Sequence, residues 1–374
     1  MKTVVSGILN DQRQQILIED GIITKIGQLS ATDLEGATRI ETDGFLYPGF
    51  IDIHIHGGGG ADTMDATEEA FRVIAKTHAA HGTTGLYLTT ITESVDRTNR
   101  VMRALKPGFQ SEGAQLLGFH LEGPFISPRK LGAHPIQHIL EPSVVLLDEW
   151  IRLSQGQVKV MTIAPELPGT EALIRYAREK GIMVSMGHSA ATYAEAQKGK
   201  EWGAQSITHL FNAMNSLHHR EPGLLGMGLS DDQIYVELIA DFMHVHPAVI
   251  RSMIRATGVD RLLLITDAIR ATCMPDGEYE LGGQMVQVRE GKASLHDGTL
   301  AGSTLTLDQA VRNLIERNYL KKDQISQVTA RNQARLLGLN KGVLQPGFDG
   351  DVIAVDDHLA VTHTIVGGRL VYRK

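Results

Sequence analysis

Between residues 49 and 267, short apolar segments ending on polar residues alternate with longer stretches of helical periodicity, a rhythm that leaves few folds open. Eight such segments are predicted as strands: Gly49–His56, Thr84–Thr90, Gln115–Leu121, Lys159–Ala164, Ile182–His188, Ser206–Phe211, Ile234–Ala240 and Leu262–Asp267. Strands of a parallel sheet are buried on both faces and so read as unbroken apolar runs, while the helices that cross between them are amphipathic. The stretch Thr67–His81 places Ala70, Ile74, Ala75 and His78 at helical spacing, and Thr170–Lys180 stops at Gly181. Eight βα units predict an α/β fold, a closed (β/α)8 TIM-type barrel over residues 48–334. An open doubly wound sheet is the alternative. It is disfavoured because no GxGxxG follows the first strand and polar residues gather at strand ends all round the set.

The two ends of the chain have a different rhythm. Residues 1–47 and 335–374 carry short β-rich segments joined by Gly and Asp turns, and together they predict a small β-sandwich. A further alternating stretch, about 275–298, predicts a β-hairpin inserted in the eighth unit. A net charge of −7 with no Lys/Arg-rich block argues against nucleic acid and membrane surfaces as partners, which leaves small molecules. The first residues lack the apolar core of a signal peptide, and no apolar run approaches the ~18 residues of a membrane span. With Cys273 as the one cysteine, the expected compartment is the reducing cytoplasm.

In a barrel the C-terminal strand ends converge on one site, so their residues are the ones to examine. His54 and His56 stand two apart on the first strand and so share one face. Glu122 follows the third strand, His188 ends the fifth, His209 lies on the sixth and Asp267 ends the eighth. Each has a plain structural explanation by itself: a loop carboxylate, a hydrogen-bonded core histidine, a helix cap. Six such groups at one barrel mouth are costly to bury unless something divalent satisfies them. Imidazoles mixed with carboxylates suit zinc, iron, manganese or cobalt better than magnesium or calcium. Six donors exceed the needs of one tetrahedral ion, so one or two ions are expected, with Glu122 able to bridge through its two oxygens. The fourth strand ends in Ala164-Pro165-Glu166 and offers no lysine for a carbamylated bridge. A bound ion lowers the pKa of its water toward about 7 and supplies hydroxide as nucleophile. Asp267 then serves as general base and acid. The expected chemistry is metal-dependent hydrolysis of a carbonyl-type bond, with Cys273 taking no part.

The His-x-His strand, the later histidines and the final Asp resemble the amidohydrolase superfamily. More closely, the segments His120–Phe125, Leu131–His134, Met186–Ser189, Thr208–Met214, His219–Gly223, Thr266–Ala268 and Leu300–Thr304 resemble the N-acetylglucosamine-6-phosphate deacetylases of that superfamily along the whole chain. The resemblance implies hydrolysis of the acetamide of N-acetyl-D-glucosamine 6-phosphate to D-glucosamine 6-phosphate and acetate. It implies Glu122, His188 and His209 as the core metal ligands and His54 and His56 as ligands of a second ion. His134 would bind the acetamide carbonyl. Asn212, Ala213, Arg220 and His244 would hold the phosphate of the sugar, Arg220 reaching the site of the neighbouring subunit in a homodimer. Leu300, Ala301 and Gly302 would line the sugar. One departure stands out: where the family has Ala-Asp-Gly-x-His, this chain has Ala240-Asp241-Phe242-Met243-His244, with bulk in place of backbone freedom. Two other readings remain: an amidohydrolase for a cyclic amide or an N-acyl amino acid, which has less use for a phosphate cradle, and a non-catalytic barrel scaffold, which has no need of all six donors.

Overall fold

The computed structural model describes all residues, 1–374. Eight parallel strands form its centre: β1 Phe50–Ile55, β2 Thr83–Thr90, β3 Gln115–Glu122, β4 Val158–Ile163, β5 Met183–Met186, β6 Ser206–Ile207, β7 Tyr235–Ile239 and β8 Leu262–Ile265. They pair in chain order from β1 to β8. The first and last strands meet through Asp267 N–H to His54 O at 2.9 Å and His56 N–H to Ala268 O at 2.9 Å. Below these bonds Thr266 Oγ1 donates to the buried Asp52 carboxylate at 2.6 Å. The eight-unit reading therefore gives a barrel, as expected.

A helix follows each strand. The helix Glu68–Ala79 after β1 starts at Thr67, whose hydroxyl accepts from Ala70 N–H, and it buries Ala70, Phe71, Ile74, Ala75 and His78. That is the face expected from their spacing. One apolar cluster of 77 buried residues runs without a break through the strands and their helices, so the strand ends are held on a rigid frame. Above this core lies a buried polar layer. His120 on β3 binds Ile53 O through Nδ1 and Thr162 Oγ1 through Nε2, and Thr162 continues through Thr208 to Ser185.

The terminal segments build one seven-stranded sheet from Lys2–Leu9, Gln12–Glu19, Ile22–Gly27, Thr38–Pro48, Val352–Val355, Val361–Val366 and Arg369–Arg373. It curls until Ile23, on one edge strand, and Ile365, on the strand next to the other edge, share a nine-residue core with Val5, Ile16 and Val352. Strand Thr38–Pro48 runs almost directly into β1, so this sheet abuts the barrel at the strand that begins the site. The insertion has three antiparallel strands, Gly277–Leu281, Gln284–Arg289 and Lys292–Ser294, where a two-stranded hairpin is expected. Lys292–Ser294 is short and follows a Glu290-Gly291 turn, which hides it in the sequence.

Candidate active site

Three of the eight strands, β5, β6 and β8, stop two or more residues short of their expected ends, and the site explains why. β5 ends at Met186 and β6 at Ile207, because His188 and His209 turn the backbone to φ values of 46° and 25°. Asp267, beyond β8, has φ 51°. Non-glycine residues in this region cost about 1–3 kcal/mol each and gather where surrounding structure fixes them for a purpose. Here the turn swings each side chain inward from the barrel rim. Gly57 follows His56 without a side chain because a Cβ there would lie 2.3 Å from Ala61 O and 2.8 Å from Arg270 N.

The six donors expected from the strand ends come together, all buried. Glu122 is their centre. Its Oε1 lies 3.1 Å from His188 Nε2, 3.1 Å from His209 Nε2 and 3.3 Å from His54 Nε2. Its Oε2 lies 3.2 Å from His56 Nε2 and 3.3 Å from His134 Nε2. Asp267 Oδ1 is 3.1 Å from His56 Nε2 and 3.6 Å from His54 Nε2. His54, His56 and Asp267 form one group able to hold a metal ion; Glu122, His134 and His188 form another.

These spacings suit a transition ion. Bonds of about 2.0–2.1 Å in a tetrahedral zinc site put neighbouring ligand atoms about 3.3 Å apart. His188 Nδ1 donates to Lys130 O at 3.0 Å, which leaves the Nε2 lone pair turned toward His209 Nε2 at 3.1 Å and a carboxylate oxygen. Lone pairs so close repel unless a positive charge sits among them. His54 Nε2, buried, has no hydrogen-bond partner, while its Nδ1 donates to Glu237 Oε2 at 3.1 Å. Such an outer carboxylate fixes the ring and raises its basicity as a ligand.

The charges are mutually dependent. Burial pushes the Glu122 carboxyl upward, but the His54 charge and the other imidazoles around it hold it well below the usual carboxylate range. Asp267 is likewise pushed up by burial and brought down to about 2 by His54 and His56. Burial depresses His56, yet Asp267 and Glu122 raise it to about 9.

His134 differs from the ligands. Thr92 N–H donates to its Nδ1 at 3.3 Å, so the ring hydrogen resides on Nε2, directed at Glu122 and the cavity. The Thr92 hydroxyl lies 2.7 Å from the same Nδ1. Gly123, at φ 76°, makes room for it: a Cβ there would sit 2.0 Å from Thr92 Oγ1. Burial, followed by the nearby His188, lowers the His134 pKa to about 4, which makes it a neutral donor at pH 7.

A cavity of about 230 Å³ opens above these groups. It is lined by His56, Glu122, His134, His188, His209 and Asp267, with Asn212, Ala213 and His244 on one side and Leu300 and Gly302 on another. Ala301 is fully buried behind them and does not line the cavity, since the Leu300–Gly302 turn faces its side chain into the core. Asn212 N–H is already bonded to His209 O, whereas Ala213 N–H, at φ 49°, makes no bond within the chain. His244 Nδ1 pairs with Asp241 Oδ2 at 2.6 Å; burial lowers this imidazole and Asp241 more than restores it. Arg220 lies outside the cavity, exposed, with Nη1 on His219 Nε2 at 2.8 Å. Phe242 takes φ 66°, the conformation its glycine counterpart would adopt freely, and its ring lies under the Arg317 guanidinium at 4.5 Å. Glu237, Thr92 and Lys130 escaped the sequence reading. A carboxylate within the apolar run Tyr235–Ile239 was the signal for Glu237; the other two act through loops and left none.

Comparison with known proteins fits this geometry. The sequence pattern of the amidohydrolase family matches residues 45–371. The N-acetylglucosamine-6-phosphate deacetylase of Lysinibacillus sphaericus is 41% identical over 98% of this chain and 96% of its own length. The N-acetylgalactosamine-6-phosphate deacetylase of Escherichia coli O157:H7 is 37% identical over 97% of this chain and 96% of its own. Among solved structures, a Mycobacterium smegmatis N-acetyl-D-glucosamine-6-phosphate deacetylase variant in complex with N-acetyl-D-glucosamine-6-phosphate superposes with a TM-score of 0.91 at 31% identity, over 99% of both chains. No helix is long and apolar enough to cross a membrane. With the family pattern spanning the barrel and both metal-competent groups in place at its mouth, the chain belongs to the amidohydrolase family.

Proposed function

We propose that this chain hydrolyses the acetamide of N-acetyl-D-glucosamine 6-phosphate, giving D-glucosamine 6-phosphate and acetate. The observation that carries this reading is the pairing, in one cavity, of a neutral imidazole donor with a carboxylate held ionised, His134 and Asp267. The names of the relatives supply the substrate class. A divalent transition ion (zinc, iron, manganese or cobalt) held by Glu122, His188 and His209, with a second at His54, His56 and Asp267, supplies Lewis acidity when bound.

The protein groups do the rest. His134 Nε2–H donates to the acetamide oxygen as negative charge develops on it, an interaction strengthened in a site closed to water. Asp267 accepts a proton from the attacking water and delivers it to the amide nitrogen, so that the C–N bond breaks and the sugar departs as an amine. Ala213 N–H and the His244 side chain hold the phosphate. Arg220 of a neighbouring copy completes this cradle in a homodimer, since in its own subunit it does not line the cavity. Leu300 and Gly302 flank the sugar. A cyclic-amide or N-acyl amino-acid substrate leaves the phosphate side of the cavity without purpose.

A second sugar is favoured by one finding, the Escherichia coli relative named for the galactosamine epimer. The test is acetate release, with metal supplied, from N-acetylglucosamine 6-phosphate, N-acetylgalactosamine 6-phosphate and unphosphorylated N-acetylglucosamine. Rapid release from the first is expected. Preference for the second moves the assignment to the epimer, and equal rates with and without phosphate overturn the phosphate cradle.

A further inference from the structure

One large apolar side chain in the cavity has no part in the chemistry proposed above. Ile91 stands one residue beyond β2, buried, and lines the cavity with His134 and Glu122. The other apolar linings are Ala213 on the phosphate side, Leu300 beside the sugar and the small Ala133 next to His134.

Its place in the ring says what it meets. The eight strands pair in chain order and close, so β2 lies opposite β6. Ile91 therefore stands across the mouth from Asn212 and Ala213, which follow β6. Its neighbour Thr92 donates its backbone N–H to His134 Nδ1 at 3.3 Å, which fixes the isoleucine relative to the imidazole that takes the acetamide oxygen. An acyl methyl lies about 2.4 Å from the oxygen of its own carbonyl. The amide nitrogen leads to the sugar and on to the phosphate beyond β6 and β7. With the oxygen on His134, the methyl is left to point the other way, toward Ile91.

The wall is braced from behind. The turn Gly282-Gly283 joins the inserted strands Gly277–Leu281 and Gln284–Arg289 and packs on the outer side of Ile91. A Cβ on Gly282 would lie 3.0 Å from Ile91 Cγ2 and 3.2 Å from its Cδ1, and the residue has φ 57°, so glycine is what fits. The turn is tied to its surroundings: Gln284 Nε2 donates to Ala133 O, Gly283 N–H to Glu280 Oε1 at 2.9 Å, and Arg270 Nε to Glu280 O at 2.9 Å. Ile91 thus has close-packed backbone at its back and little room to retreat from a longer chain.

We infer that Ile91, held in place by the inserted hairpin, sets the length of the acyl group: the cavity takes an acetyl and excludes longer linear acyl chains on the same sugar phosphate. This rests on the amide hydrolysis proposed above and narrows its substrates to those with short N-acyl groups. The insertion, remote from the metal-competent groups, thereby acts on specificity through a single side chain.

The test compares N-acetyl-, N-propanoyl- and N-butanoyl-glucosamine 6-phosphate on the full, metal-loaded chain, with release of the common product, the free amine, as readout. In the wild type kcat/KM should fall about 10–200-fold from acetyl to propanoyl, and further for butanoyl. Ile91→Ala should raise the propanoyl-to-acetyl ratio about tenfold, with Ile91→Val giving a smaller rise in the same direction. A ratio taken within one variant does not depend on how much of that variant is folded, so a loss of stability leaves the comparison intact. Equal kcat/KM for acetyl and propanoyl in the wild type, or a ratio that neither variant changes while the acetyl substrate is still cleaved, overturns the inference and leaves the proposed hydrolysis standing. Failure of the wild type to cleave any of the three removes both.

Discussion

Glu237 Oε2 and His54 Nδ1 lie 3.1 Å apart with both side chains wholly buried, and the same oxygen accepts His209 N–H at 3.2 Å. One carboxylate thereby orients two strand ends that carry opposite halves of the site. Glu237→Gln keeps the shape and removes the charge. Metal affinity, measured by competition with a chelator, should fall about 10–100-fold while the fold is retained. Unchanged affinity would make Glu237 a packing residue only.

Asp267→Asn tests proton transfer. The amide preserves volume and can still approach His56, so metal content should remain near the wild-type level while turnover falls about 10²–10⁴-fold. Full activity in a metal-loaded variant would remove Asp267 from the chemistry.

His134→Ala removes the neutral Nε2–H donor. Turnover should drop about 10²–10³-fold, with far less change in KM, because the bond tightens as charge develops on the oxygen. A loss confined to KM would assign His134 to substrate binding alone.

Arg220→Ala should raise KM for the phosphorylated sugar much more than for the free one. If Arg220 serves a neighbouring copy, mixing Arg220→Ala and Asp267→Asn subunits and assaying at substrate far below the KM of Arg220→Ala should restore about a quarter of wild-type activity, since random assortment gives half the dimers one complete site. Mixtures with no recovered activity would place Arg220 in its own subunit's site or outside it.

Asp308 makes stability depend on acid. Burial raises its carboxyl, and His81 and Arg312 bring it down to about 2, below its value of about 3.9 in an unfolded chain. A lowered folded-state value contributes stability that is present above pH 4 and lost as the pH falls through 4 toward 2. Its size is about 2 kcal/mol. Urea unfolding of wild type against Asp308→Asn should show a difference of this order at pH 7 that vanishes by about pH 2.

The barrel and its six donors were legible because a parallel sheet imposes unbroken apolar strands, and each polar residue at a strand end interrupts that run. His188, His209 and Asp267 declared themselves in this way. The same rule passed over Glu237, which sits in the middle of β7, two residues before its last residue, instead of standing at a strand end. The left-handed backbone at His188 and His209 shortened two strands that the apolar pattern extended, since hydrophobicity carries no information on φ. Ala301 and Asn212 were assigned through their neighbours' motifs, but which group of a turn faces a cavity depends on packing that no motif spells out. Phe242 was visible as a departure; its left-handed φ and the guanidinium over its ring required coordinates.

The strands that meet to close the barrel also carry donors of one group: His54 and His56 at its start and Asp267 at its end. During synthesis the histidines emerge long before the aspartate. An ion bridging them cannot be fully held until the eighth strand has docked. In the proposed metal-bearing enzyme, capture of that ion would therefore mark completion of the ring, and removing it should loosen the molecule first between its oldest and youngest strands.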